Sequence, residues 1–409
     1  MVAHRVLAIV QAGGAGGRMD VLTRERAKPA LPFAGVYQLL DFPLSNLTHS
    51  GCTDVWLSVQ FQGGTLEEQV ANGRPWDLDR NTGGLRLLMP QEGTGSLDED
   101  GFAQGNADLL FRIRAEIQSF DPEVVLVMSA DHVYRFDYRD AIVTHHERGA
   151  ECTLVTSEVP IEEASNHATV EHDDDGLVTG FAYKPEEPTT GTVATEVFVY
   201  DPEVLVRVLE ELHGELSDDS EPGDTGLGDF GDHLLPRLVE RGKVVAHPMP
   251  GYWRDLGQPH LYLTAHRELL TDDHDVLGVP GWTILTRQPQ RQPARVLEGA
   301  AVVDSMLSPG CRVAGEVVRS VLGPGVVVEE GAVVVDSVVF SDTVVRRGAA
   351  VHRSIVDTGC EVGAGARLGD PDAAAFDDPD AVTIVGRHSV VGDGVELPAG
   401  SRLEPGTTA

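Results

Sequence analysis

Val6–Met19 reads VLAIVQAGGAGGRM, an apolar β-rich run that ends in a glycine-rich loop and an arginine. A strand at Val6–Val10 emptying into such a loop points to an open α/β sheet, where ligands sit beyond the carboxyl ends of the strands. The loop does not fit G-x-x-x-x-G-K-[ST], so it is no P-loop. It does not fit G-x-G-x-x-G either, which leaves a dinucleotide fold without support. Gly13, Gly14, Gly16 and Gly17 instead offer backbone N–H groups with no Cβ atoms in the way. Such a nest can wrap phosphates while Arg18 neutralises them. Lys28, in RAKPALPFAG, supplies a second cation, and Pro29 restricts its backbone. The alternative is a plain glycine turn flanked by two surface cations.

Outward from this stretch, apolar runs alternate with helical spacing. Asp54–Gln60, Val124–Ala130 and the runs from Cys152, Leu177 and Thr195 read as strands. Ala107–Ile117, Pro202–Leu212 and His260–Leu270 read as helices. Continuous apolar strands separated by helices predict a mostly parallel sheet covered on both sides. Residues 1–270 are expected to form this domain, with 271–294 as a linker carrying TDDHD, PGW and RQPQRQP.

From 295 to 409 the composition turns to Val, Gly and Ala with short turns. DSMLSPGCRV, RSVLGPGVVV, DSVVFSDTVV, RSIVDTGCEV and HSVVGDGVEL repeat, placing serines at Ser305, Ser320, Ser337, Ser354 and Ser389. Two steps are 17 residues (320 to 337, 337 to 354). Three hexapeptide sides need about 18, so the period predicts a left-handed parallel β-helix with one short corner. A β-sandwich gives no reason for a near-fixed period. The last step is lengthened by DPDAAAFDDPD, read as a polar loop.

Composition narrows the function. Lys+Arg number 31 against 65 Asp+Glu, a formal net charge of −34. Nucleic-acid binders carry a basic stripe, which this chain lacks, and its anionic surface repels polyphosphates and acidic membranes. No apolar run approaches the roughly 20 residues of a membrane span. The N-terminal stretch lacks the pattern of a signal peptide. The four cysteines, Cys52, Cys152, Cys311 and Cys360, are widely spaced and form neither a disulfide framework nor a CxxC metal pattern. A reducing cytoplasm is the expectation.

Two aspartates complete the phosphate site. Asp131 follows the buried run VVLVMSA, where ligands bind in open sheets. Asp255 lies in GYWRDLGQPHLY. Facing one phosphate site, the pair would hold Mg²⁺, a hard cation that prefers oxygen ligands. Each has a simpler reading: Asp131 as a turn cap, Asp255 as the N-cap of the next helix. Lys184, in YKPEEP, is placed to neutralise a second phosphate or else is solvated. His145 and His146 are adjacent on a helix and point apart, so they read as solvated or packed. No H-E-x-x-H or G-x-S-x-G occurs.

These motifs together resemble the glucose-1-phosphate adenylyltransferase family. AGGAGGRM, RAKPALPFAG, DFPLSN, SADHVYRFDY, the KP of YKPEEP, DFGDHLLPRL and GYWRDLGQPHLY, followed by a β-helix, are collinear with it over essentially the whole chain. The resemblance implies a Rossmann-like nucleotidyltransferase domain that makes ADP-glucose and pyrophosphate from ATP and glucose 1-phosphate, with Mg²⁺. By motif, Gly13–Gly17, Arg18 and Lys28 match the residues at the nucleotide phosphates, and Gln91 a glutamine near the adenine. Asp131 and Asp255 match the metal carboxylates, and Lys184 the lysine on the sugar phosphate. The sugar side departs from the pattern. Tyr183-Lys184-Pro185 stands for Glu-Lys-Pro, Ala194-Thr195-Glu196 for Ser-Met-Gly, His167-Ala168 for Phe-Gly, and Phe102-Ala103 for Trp-Tyr. Tyr183 and Glu196 are therefore expected to decide which hexose fits. A different hexose 1-phosphate, or a catalytically weak regulatory subunit, are the competing functions. The resemblance further implies a homo-oligomer, a tetramer, and control by phosphorylated metabolites between the domains. Arg24, Arg26, Arg346 and Arg347 are the candidates to bind them, or else are solvated surface arginines.

Overall fold

The computed structural model describes residues 5–14, 16–90, 103–216, 225–271, 274–371, 378 and 380–409. Thirteen strands build the first domain: β1 (Val6–Ala12), β2 (Pro32–Phe33), β3 (Tyr37–Gln38), β4 (Asp54–Val59), β5 (Gly84–Leu88), β6 (Val124–Ser129), β7 (His132–Tyr134), β8 (Cys152–Glu158), β9 (Ala168–His172), β10 (Val178–Tyr183), β11 (Thr192–Tyr200), β12 (Val244–Pro248) and β13 (Trp253–Asp255). Nine of them form one twisted sheet in the order β10-β9-β11-β6-β1-β4-β5, with β8 pairing β11 and β12.

The parallel half is β6-β1-β4-β5. Strands β6, β1 and β4 are buried on both faces because helices cover both, which is why they read as unbroken apolar runs, while the edge strand β5 leaves Arg86 exposed. One face packs with Trp76, Leu44 and Leu66, the other with Phe111, Leu205 and Leu209. The other half departs from the expected pattern, since β11 runs antiparallel to β6 and β8. The helix expected at 107–117 is two, Asn106–Arg112 and Arg114–Phe120, broken where Ile113 leaves helical geometry at φ −96°, ψ 10°.

The described residues from Arg295 to Leu403 form a left-handed parallel β-helix whose three faces are each a six-stranded parallel sheet; the expected polar loop at DPDAAAFDDPD lies mostly outside the described residues. Inward Val and Leu side chains, with Ala and the two cysteines Cys311 and Cys360, fill its axis. Ser320, Ser337 and Ser354 each donate their backbone N–H to the hydroxyl of the serine one coil earlier, at 3.1 Å every time. The next coil places Thr383 over Ser354, not Ser389. Ser389 stands on a different corner, donating to the Glu404 carbonyl.

The two domains share a core. Met19, Val21, Leu22, Phe33 and Tyr262 of the first pack against Val338, Phe340, Ile355 and Ile384 of the second. The stretch between them is docked, with Trp282 donating to Asn46 and Leu285 exchanging hydrogen bonds with Ser45. The arginines expected to take anions are engaged within the chain. Arg24 pairs with Glu404, Arg26 with Asp357, Arg346 with Glu329 and Glu361, and Arg347 with Glu330. An anion on them would have to displace a carboxylate from each.

Candidate functional site

β1 and β6 are parallel neighbours, so the loop after Ala12 and the turn after Ser129 emerge at the same edge of the sheet. This juxtaposes the glycine loop with Asp131. The antiparallel ribbon β7–β13 then sets Asp255 opposite His132, which brings the second carboxylate to the first. Asp255 does not cap the following helix, whose N-cap is Gln258 without a side-chain bond.

Two glycines of the loop have little room for a side chain, although at Gly13 the atom met is the movable end of Gln60. A Cβ on Gly13 would lie 2.6 Å from Nε2 of Gln60. Gly16 adopts φ +65°, and a Cβ there would meet the Lys28 Cβ at 3.1 Å. Only glycine takes that conformation freely. The two ends of the Gly16–Lys28 segment therefore touch, and both face the cleft.

Lys28 is the electrostatic hub. Its Nζ lies 2.6 Å from Asp131 Oδ2 and 3.5 Å from Asp255 Oδ1. Burial opposes its charge, but the two carboxylates outweigh burial and raise its pKa above the ordinary lysine value. For Asp131, burial is likewise overcome by Lys28 and His132, which hold it well below the usual carboxylate range. Asp255 is lowered in the same way. Ser129 Oγ donates to the other oxygen of Asp131.

His132, which the sequence reading passed over, stands in the middle. Its Nδ1 lies 3.1 Å from the Thr195 carbonyl. Its Nε2 is 3.6 Å from Asp255, 3.7 Å from Asp131 and 3.9 Å from Glu196. Burial disfavours its cationic form, yet the three carboxylates raise its pKa. The signal was present: it directly follows Asp131 at the end of a buried strand.

On the sugar side, Lys184 and Glu196 both hold left-handed backbone, φ 47° and 57°. Glu196 sits where the register of β11 against β8 shifts, a bulge that turns it toward the cleft. Burial, opposed by His132, raises its pKa. Lys184 Nζ donates to Tyr183 Oη at 3.2 Å, and that hydroxyl donates to Asp229 at 3.2 Å.

All of Gly13, Gly14, Gly16, Gly17, Arg18, Lys28, Asp131, Tyr183, Lys184, Glu196 and Asp255 line one cleft of about 400 Å³. Gln91 lies outside the described residues. Gln60, Asn106 and Asp229 also line the cleft and were not anticipated. Gln60 accepts the Ala103 N–H, and Asn106 Oδ1 accepts the Phe230 N–H, so they brace its walls.

Among the described residues no three His, Cys, Asp or Glu side chains are arranged as a metal cage. Asp131 and Asp255 instead converge on one cationic point. That donor set suits Mg²⁺, which takes one or two protein carboxylates and completes its shell with water and substrate phosphates.

Comparison with known proteins agrees with this geometry. A family model described as nucleotidyl transferase matches residues 7–272. A second, described as GlmU-like, C-terminal hexapeptide, matches residues 292–385. The chain is 38% identical over 401 residues to a glucose-1-phosphate adenylyltransferase of Thermomicrobium roseum, covering 96% of this chain and 91% of that protein. It is 31% identical over 404 residues to the protein of that name from Fervidobacterium nodosum, covering 96% and 93%. The corresponding protein of Clostridium perfringens strain SM101 is 33% identical over 376 residues, covering 90% and 94%.

Proposed function

The chain belongs to the nucleotidyl transferase family, among the glucose-1-phosphate adenylyltransferases, and from that membership we propose how its cleft joins ATP to glucose 1-phosphate to give ADP-glucose and pyrophosphate. The observation that supports the site assignment is the convergence of Lys28, Asp131 and Asp255 beneath the glycine loop.

A phosphate oxygen of the sugar phosphate attacks the α-phosphorus of ATP. The new O–P bond forms as the bond to pyrophosphate breaks, in line, so no protein nucleophile is required. Catalysis is then positioning and charge stabilisation. The backbone N–H groups of Gly13–Gly17 and the Arg18 guanidinium hold the nucleotide phosphates. Lys28 places a fixed positive charge where negative charge develops. Lys184 holds the phosphate of the sugar, and Tyr183 and Glu196 border the hexose. When bound at Asp131 and Asp255, Mg²⁺ supplies further charge neutralisation on the phosphates. The enzyme works as a cytoplasmic homotetramer in this reading. Residues 1–270 are the catalytic domain, 271–294 the linker and 295–409 the β-helix. Among the described residues no helix is long and apolar enough to cross a membrane.

Pyrophosphate release from ATP across a panel of hexose 1-phosphates tests this. Glucose 1-phosphate should give the highest kcat/KM. One observation favours a second reading, a different hexose: Tyr183 and Glu196 crowd the sugar side with an aromatic ring and a carboxylate. A panel winner other than glucose 1-phosphate would establish it. No release with any sugar would point to the non-catalytic subunit.

A further inference from the structure

The segment from Gly16 to Lys28 begins and ends in the cleft, yet its middle is gripped by the other domain. Asp20 accepts a hydrogen bond from Arg402 Nε at 2.7 Å. Asp20 holds φ 57°, ψ −132°, a conformation that kinks the segment. Arg402 is itself fixed, since Nη1 also donates to the carbonyls of Val382, Gly400 and Ser401. Six residues on, Arg26 Nη2 meets Asp357 Oδ1 at 2.6 Å, with side chains only 6% and 1% exposed. Arg26 also lies over the Phe340 ring, at 5.7 Å. Between these two points Val21 and Leu22 are buried in the shared core.

Both anchors span hundreds of residues in sequence and a few in space. Arg26 is two residues from Lys28, and Asp20 two from Arg18. A shift of the segment against the β-helix must therefore move the two cations that face the phosphates. Displacement of about 1 Å at such groups can cost on the order of a hundredfold in rate. Lys184 and Glu196 hang from β10 and β11 and have no part in these anchors.

We propose that Asp357 and Arg402 of the β-helix are positioning residues for nucleotide transfer, acting through Arg26 and Asp20 to hold Arg18, Lys28 and the glycine loop in register. The β-helix is then part of the catalytic apparatus and not only a platform for assembly. The proposal rests on the reading that Lys28 and the loop serve the nucleotide.

The test uses the full chain with Asp357→Asn, Asp20→Asn, Arg26→Gln, Arg26→Lys, Lys28→Gln and, as a control on the β-helix surface, Arg346→Gln. Initial rates of pyrophosphate release are measured at 25 °C against ATP and against sugar phosphate, with thermal midpoints by circular dichroism. Asp357→Asn and Asp20→Asn should each raise the KM for ATP and lower kcat, about tenfold in kcat/KM or more. The KM for the sugar phosphate should stay within twofold. Arg26→Lys, which keeps the charge opposite Asp357, should restore most of what Arg26→Gln loses. Arg346→Gln should leave both KM values unchanged. Asp20 is partly exposed, so its variant serves if Asp357→Asn fails to fold. Folded Asp20→Asn with both KM values and kcat within twofold of wild type overturns the proposal, as does an equal rise in the two KM values. If Lys28→Gln is also without effect, the reading of the site falls as well. If Lys28→Gln alone is crippled, only the positioning role does.

Discussion

Lys28 is charged although buried at the floor of the cleft because two carboxylates face it, and they in turn are ionised because it faces them. Below the ordinary lysine pKa of 10.5 the ammonium's contribution is complete, and it is lost only as pH rises through the still higher folded value. For Asp131 the sign is opposite: the depressed carboxylate contributes above its ordinary 3.8, and the contribution is lost as pH falls through the folded value. The pair is therefore intact across the neutral range. Asp131→Asn and Asp255→Asn should each cut turnover about a hundredfold or more at saturating Mg²⁺, with the circular dichroism spectrum retained. Asp131→Asn should also lower the thermal midpoint further than Asp255→Asn, because it breaks the shorter buried contact. Turnover within a few-fold of wild type in either variant would remove that aspartate from the site. On the sugar side, Lys184→Gln and Glu196→Ala should each raise the KM for the preferred sugar phosphate by on the order of tenfold, the scale of one lost charged hydrogen bond. The KM for ATP should not follow. An unchanged sugar KM in Glu196→Ala would place that residue outside the sugar pocket.

At the scale of elements, the β-helix is held at one corner by a ladder of hydroxyls. Ser337 Oγ donates to the Val335 carbonyl and accepts the Ser354 N–H, so its loss leaves a buried donor without a partner. Ser337→Ala should cost about 1–3 kcal/mol, read as a shift in the urea midpoint. A cost below about 0.5 kcal/mol would mean the ladder is dispensable. The docked linker has its own electrostatic feature. Asp41, buried at the start of the Asp41–His49 helix, accepts from the Gln38 N–H and from Gln69, whose amide also reaches Thr286 of the linker. Burial pushes its pKa up to about 7. The folded chain therefore holds a proton there that the unfolded chain releases near 3.8, and wild-type stability falls as pH rises between those values. Asp41→Asn carries no such proton. Its stability penalty relative to wild type should shrink from pH 5 to pH 8, at up to about 1.4 kcal/mol per pH unit. A penalty independent of pH would show Asp41 to be ionised throughout.

The whole molecule joins two architectures through one apolar core to which both domains contribute. Its exposed large side chains include Val296 and Val303 on the first coil of the β-helix, whose strands pair on one side only among the described residues. Unpaired edges and apolar surface invite a second copy. Light scattering at micromolar concentration should return a multiple of the 43.9 kDa chain mass, four copies in the proposed tetramer. A single 43.9 kDa species would refute assembly through this end.

Much of this was legible from local pattern. Strand β1 and its glycine loop, the aspartate after β6 and the period of the β-helix are short-range features. Strand alternation, backbone freedom and repeat length are written within a few residues. Several of the residues that line the cleft could be named from the sequence, because the glycine loop, Asp131 and Lys184 stand just past strand ends, and strand ends meet at one edge of a sheet. What the chain could not disclose in that way depends on partners distant in sequence. Arg26 reads as a free surface cation until Asp357, 331 residues away, buries it. His132 reads as a neighbour of Asp131 until β13 brings Asp255 beside it. Ser389 shares the serine pattern, yet the fold sets Thr383 over Ser354 and Ser389 on another corner. Charge state, burial and register are properties of contacts, and only the folded chain decides which contacts are made.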